Sequence, residues 1–172
     1  PKKTDFKLIW NKCTKEEWQK LLESVDDSNI PQDWTYGEAK RDVEGWILNR
    51  AMIQTPEGKY IGILQMLTKK ILGIPVAFRV NRGPLFLHEY NTVDNHLQVM
   101  ETVKKKNTGI RPVFYAPMIK WSPLNCIKLK SYKWGITDMF GFPSGTIDLT
   151  VSDEEIRKSF DSKWRNQLVT SE

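Results

Sequence analysis

Residues 6 to 10, FKLIW, form a short apolar run that reads as a strand, and the apolar spacing changes directly after it. Trp18, Leu21, Leu22 and Val25 recur at helical intervals and make one apolar face. Thr14 precedes that face with Glu17 three residues on, a capping-box pattern that predicts where the helix begins. DDSNIPQ, residues 26 to 32, reads as a loop, and a second helix is predicted from about Asp33 to Val43. Strand-like runs follow: GWILNRAMIQT, YIGILQMLTKKI and VAFRVNRGPLF, separated by the turns PEGK and LGIP. Turn residues at those two points predict three consecutive strands in an antiparallel meander.

Beyond the meander, helical and strand periods alternate. Val93, Leu97, Val99, Met100 and Val103 lie on one arc of a helix over residues 91 to 107, which ends in KKKN, where cations suit the helix dipole. PVFYAPMI reads as a buried strand, and Ser122 with Pro123 starts a helix running to about Trp134. GITDMF and GTIDLT read as short strands. Ser152 with Glu155 makes a second capping box, opening a helix that carries Ile156, Phe160, Trp164 and Leu168. The chain is thus of the α/β class. Its element order matches the GNAT-like acyltransferase fold, a mixed, mostly antiparallel sheet flanked by helices. Residues 1–151 are expected to form that domain, and 152–172 a C-terminal basic helix leading towards a second domain.

Composition narrows this picture only slightly. A chain of 172 residues fits one domain, and its 26 basic against 21 acidic residues give a net charge of +5 that suits an anionic partner. Seven tryptophans are enough to supply aromatic pocket walls as well as core. Cys13 and Cys126 lie far apart without metal or redox spacing, so free thiols in a reducing, cytoplasmic compartment are expected. No signal-peptide pattern and no apolar run of membrane-spanning length is present. The chain opens on Pro1 rather than methionine, so a processed product or a piece of a longer protein is expected.

Three stretches carry a resemblance. PQDWTYGEAK (31–40), VNRGPLF (80–86) and TIDLTVSDEEIRKSFDSKWRNQL (146–168) resemble, in this order, landmarks of the Fem-type (FemAB-like) aminoacyltransferases of peptidoglycan precursors. The resemblance spans nearly the whole chain. It implies the first of two tandem GNAT-like domains, with part of the catalytic machinery in the second. It also implies transfer of an aminoacyl group from aminoacyl-tRNA to an amine of a nucleotide- or lipid-linked muropeptide, without a cofactor. Trp34 and Tyr36 would then wall the pocket, and Lys40 would hold the acceptor. The alternatives are an N-acyltransferase using another acyl donor and a non-catalytic ligand-binding module.

Residue chemistry leaves each candidate with two readings. Tyr36 and Lys40 are spaced i, i+4 and share a helix face, so Lys40 is either an anion ligand or a surface lysine snorkelling over a core tryptophan. Arg82 and Gly83 follow a strand, so they either meet a phosphate or build a structural turn. RGPLFLHEYN offers one glycine, and a proline without an N–H, where an acetyl-CoA pyrophosphate needs a cradle of amides. His88 and His96 read as structural. Asp138 and Asp148 are either general-base candidates or structural acids, and no catalytic base or metal site is assigned. Lys104, Lys105 and Lys106, with Lys128, Lys130 and Lys133, form either a tRNA-binding patch or a solvated face.

Overall fold

The computed structural model describes residues 5–25, 27–107, 112–119, 122–132, 134–135, 148 and 150–171. Residues 1–135 form one compact unit and 136–172 another. In the first unit the order is β1 (Lys7–Trp10), α1 (Lys15–Leu22), a 3-10 turn (Ile30–Gln32), α2 (Trp34–Glu44), β2 (Ile47–Gln54), β3 (Tyr60–Ile71) and β4 (Ile74–Asn81). There follow β5 (Leu85–Phe86), α3 (Val93–Lys106), β6 (Val113–Ala116) and α4 (Pro123–Ser131). The sheet runs β1-β2-β3-β4-β6, with β5 paired to β3. Among the described residues every pairing is antiparallel except β4 with β6, which is parallel. This is the mixed, mostly antiparallel sheet with helices that the hydrophobic pattern predicts.

Local chemistry fixes the helix ends. Thr14 Oγ1 accepts the Glu17 amide while Glu17 accepts the Thr14 amide, completing the first capping box. Asp33 Oδ1 accepts the amides of Thr35 and Tyr36 and so starts α2, which stops at Gly45 with φ 66°. Pro123 occupies the first turn of α4, and Ser122 caps it.

The meander is buried on both faces, as its long apolar runs require. Ala51, Ile53, Leu64 and Met66 join Val99 and Val103 of α3 in one cluster. Ile63 joins Trp18 and Leu22 of α1 in the other. Residues 50, 52, 63 and 65 share that second face, because side chains alternate along a strand. Two of its buried side chains are polar, Arg50 and Gln65.

Three expectations change. The third predicted strand does not run through to Phe86. It leaves β3 after the Leu67–Arg79 pair, ends at Asn81, and returns to β3 as β5. Arg82 sits at φ 47°, a conformation no strand residue adopts, and Pro84 has no N–H for a ladder. The helix expected after Ser152 is two helices, α5 (Asp153–Ser159) and α6 (Ser162–Ser171). Phe160 is extended between them (ψ 148°), and Asp161 accepts the Trp164 amide at 2.9 Å as a new N-terminal cap. Ile156 and Phe160 therefore do not share one helical stripe with Trp164 and Leu168. The helix predicted to reach Trp134 ends at Ser131. The strand predicted over GITDMF apart from Gly135, and GTIDLT apart from Asp148 and Thr150, lie outside the described residues.

Candidate functional site

The gap opened where β4 leaves β3 is filled by one side chain. Gln32, at the end of the 3-10 turn, is fully buried. Its Oε1 accepts the Gln65 amide at 2.7 Å, and its Nε2 donates to the Asn81 carbonyl at 2.7 Å and the Gln65 carbonyl at 3.3 Å. The carboxamide thus stands in for a missing peptide group between two parted strands. Trp18 Nε1 donates to the Gln32 carbonyl at 3.0 Å, fixing the turn to α1.

The network continues on the same sheet face. Gln65 Nε2 donates to the carbonyls of Pro31 and Asp33, each at 3.1 Å. Arg50 Nε donates to Gln65 Oε1 at 2.8 Å, Nη1 to Glu38 at 2.8 Å and Nη2 to the Trp34 carbonyl at 2.9 Å. The guanidinium lies 3.6 Å from the centre of the Trp34 ring, a stacked cation–π contact. Burial lowers the pKa of Arg50 from its ordinary value, and the Glu38 contact opposes that. Gly37 makes room here: a Cβ on it would lie 2.7 Å from Arg50 Nη2.

This arrangement decides where the predicted residues sit. Trp34 is half-buried, edge-on to Trp18 at 6.2 Å, and its ring faces Arg50. Tyr36 lines a shallow groove of about 570 Å³ between α1 and α2, with Asn29, Ile30 and Ala39 on its walls. Lys40 lies 5.5 Å from the Tyr36 ring and pairs with Glu44, a hydrogen bond that raises the lysine's pKa. Arg79 on β4 is near enough to oppose that shift by charge repulsion. Its Nε donates to Asn81 Oδ1 at 2.8 Å. Two cations, Lys40 of α2 and Arg79 of β4, therefore stand within reach of each other's charge, with the half-buried Tyr36 ring beside Lys40. The outward alternation of β4, with Phe78 and Val80 inside, is the sequence signal that locates Arg79.

Arg82 is exposed, and its carbonyl accepts Asn29 Nδ2 at 3.0 Å. Gly83 is buried against Gln32: a Cβ there would lie 2.7–3.0 Å from three atoms of the Gln32 amide. The close approach that needs glycine at this position is thus made by a protein side chain. The loop's amides are also used internally. Leu87 donates to the Ile61 carbonyl at 3.0 Å, Tyr90 to Leu87 at 2.9 Å, Asn91 to His88 at 3.1 Å and Thr92 to Tyr90 at 2.8 Å.

His96 is buried in α3, with Nε2 2.8 Å from Asn91 Oδ1 and a pKa lowered to about 4 by burial. Asp148 is exposed, and its carboxylate accepts the Thr150 amide and hydroxyl, which lowers its pKa. Asp138 and Lys133 lie outside the described residues. Lys104 donates to the Tyr132 carbonyl, Lys106 stacks 3.9 Å from the Trp10 ring and Lys128 pairs with Asp94 at 2.8 Å. Those lysines are each engaged within the fold. Burial raises the Cys13 thiol pKa, which disfavours a reactive thiolate. Among the described residues, no group of three or more His, Cys, Asp or Glu could hold a metal. No helix among them is long and apolar enough to cross a membrane.

No family model matches the chain, and no curated protein matches it significantly. Several solved structures are similar to it. An aminoglycoside N-acetyltransferase in complex with CoA is 17% identical, covers 86% of this chain and 99% of its own, and has a TM-score of 0.46. A ribosomal-protein-alanine N-acetyltransferase from Brucella melitensis biovar Abortus 2308 is 12% identical, with coverage of 83% and 100% and a TM-score of 0.46. A transcriptional regulator from Bacillus halodurans C-125 is 10% identical, with coverage of 81% and 100% and a TM-score of 0.47. At these values the likeness decides neither chemistry nor substrate.

Proposed function

We propose that this chain is an acyltransferase domain of GNAT-like architecture that passes an acyl group to the amine of an anionic acceptor. The observation that carries the reading is the β4 exit. There the only parallel pair among the described strands, β4 with β6, brings two carboxyl ends together at Asn81 and Ala116, and α3 forms the crossover. Crevices at such strand ends are favoured ligand sites. Arg79, bonded to Asn81, lies at this exit, Lys40 is near enough to feel its charge, and both cations can meet a phosphate or carboxylate.

Within that reading, the donor is an acyl ester rather than acetyl-CoA. A pyrophosphate needs a run of free backbone N–H groups, and in this loop Pro84 has none while the amides of Leu87, Tyr90 and Asn91 are bonded to carbonyls. The finer assignment follows the Fem-type resemblance: an aminoacyl-tRNA donor and a muropeptide acceptor. Aminolysis of such an ester depends on positioning and proton removal, and needs no protein nucleophile.

Calorimetric titration with acetyl-CoA, alongside mass spectrometry of a nucleotide-linked muropeptide incubated with aminoacyl-tRNA and the chain, tests both halves. The reading expects no acetyl-CoA binding in the micromolar range and an aminoacyl mass increment on the acceptor. Micromolar acetyl-CoA binding with acetyl transfer would replace the donor assignment.

A further inference from the structure

We propose that the β3–β4 hairpin tip is a docking prong for an anionic lipid surface. Ile71 pairs with Ile74, leaving Leu72 and Gly73 as a two-residue loop with φ 49° and 78°. Such turns favour Asn, Asp or Gly at the first position, because a left-handed backbone strains other side chains. Leu72 is also 96% exposed, so it gains no burial in return. Folding therefore gives no reason for leucine here, and binding does.

The neighbourhood defines the partner. Ile71 and Ile74, flanking Leu72, are exposed, as are Val43 and Ile47 at the α2–β2 junction on the same end of the sheet. Half-exposed Trp46 lies there as well, with Lys69 Nζ 5.3 Å from its ring. Lys69 and Lys70 lead directly into the tip. Glu44 is paired with Lys40 and bonded by Trp46, and Asp42 pairs with Arg41. Protruding aliphatic side chains above an aromatic ring and lysines match the layering of a bilayer interface with anionic headgroups.

The test is co-sedimentation of the whole chain with vesicles of phosphatidylglycerol and phosphatidylcholine at low and moderate salt, alongside phosphatidylcholine alone. Binding to the anionic vesicles is expected, weakening with salt. Leu72→Asn should weaken it about tenfold, since the leucine side chain no longer enters the interface. It should melt at the same or a higher temperature, because asparagine accepts the turn conformation. Lys70→Glu should weaken binding with a smaller salt dependence. Absence of binding at low salt, or binding unchanged in both variants, overturns the proposal. So does concentration-dependent dimerisation that Leu72→Asn abolishes, which would assign the tip to a second copy of the chain.

Discussion

Gly83→Ala is the perturbation that separates packing from ligand contact most cleanly. The position does not have positive φ, so alanine carries no conformational penalty of that kind. Its Cβ would meet Gln32 Nε2 at 2.7 Å and Cδ at 2.8 Å, and the carboxamide must move. Moving it breaks the bonds to the Gln65 amide and the Asn81 carbonyl. Each buried group left unsatisfied costs about 1–3 kcal/mol, so Gly83→Ala should destabilise by about 2–6 kcal/mol. Gln32→Ala loses the same bonds and should cost a similar amount. In the Gln32→Ala background the space is vacant, so adding Gly83→Ala should cost under about 1 kcal/mol. The double-mutant cycle then gives a coupling of about 1 kcal/mol or more, read from urea midpoints at constant m. Additive effects, or a Gly83→Ala variant as stable as the parent, would refute the packing argument.

Other outcomes follow from the same geometry. His96 has a folded pKa near 4, below an unfolded value near 6.5, so the unfolded chain binds the extra proton between them. Its contribution is complete above about pH 7 and is lost as pH falls. Relative to a His96→Gln variant, stability should drop by about 2 kcal/mol between pH 7 and pH 5, measured by urea denaturation. Arg50→Met should destabilise by about 3–5 kcal/mol, since Glu38, Gln65 and the Trp34 carbonyl lose a charged partner. Trp164 is exposed beside Phe160, Gln167 and Leu168, so Trp164→Glu should reduce any self-association seen by analytical ultracentrifugation.

Much of the fold was legible because period and punctuation agreed. The 12-residue β3 matches its apolar run residue for residue, and the two capping boxes mark two helix starts. The β4–β5 break was not read, because VAFRVNRGPLF is apolar enough to pass for one strand. Arg82 before Gly-Pro was the signal against that. The C-terminal break was hidden by helical spacing that continues through Phe160, while Asp161 offered a cap in the middle of it. At the candidate site, the sequence pointed to α2, Tyr36 and Lys40, but not to Gln32, Gln65 and Arg50. Those three form a buried network through contacts 15 to 33 residues apart, and local patterning carries no record of such distances. A charged and an amide residue inside the apolar runs of β2 and β3 were the available clue. Both sit on the face that receives α2.

The role proposed for Lys40 and Arg79 is to hold an anionic acceptor beside Tyr36. Titration of a nucleotide-linked muropeptide into the parent chain, Lys40→Ala and Arg79→Ala, with melting temperatures recorded in parallel, tests it most directly. The account predicts saturable binding by the parent. It predicts about tenfold weaker binding in each variant, as loss of a charge-assisted hydrogen bond of about 1.5–3 kcal/mol implies, with melting temperatures close to the parent's. Equal affinity in all three proteins, or a fall in melting temperature with affinity unchanged, would contradict it.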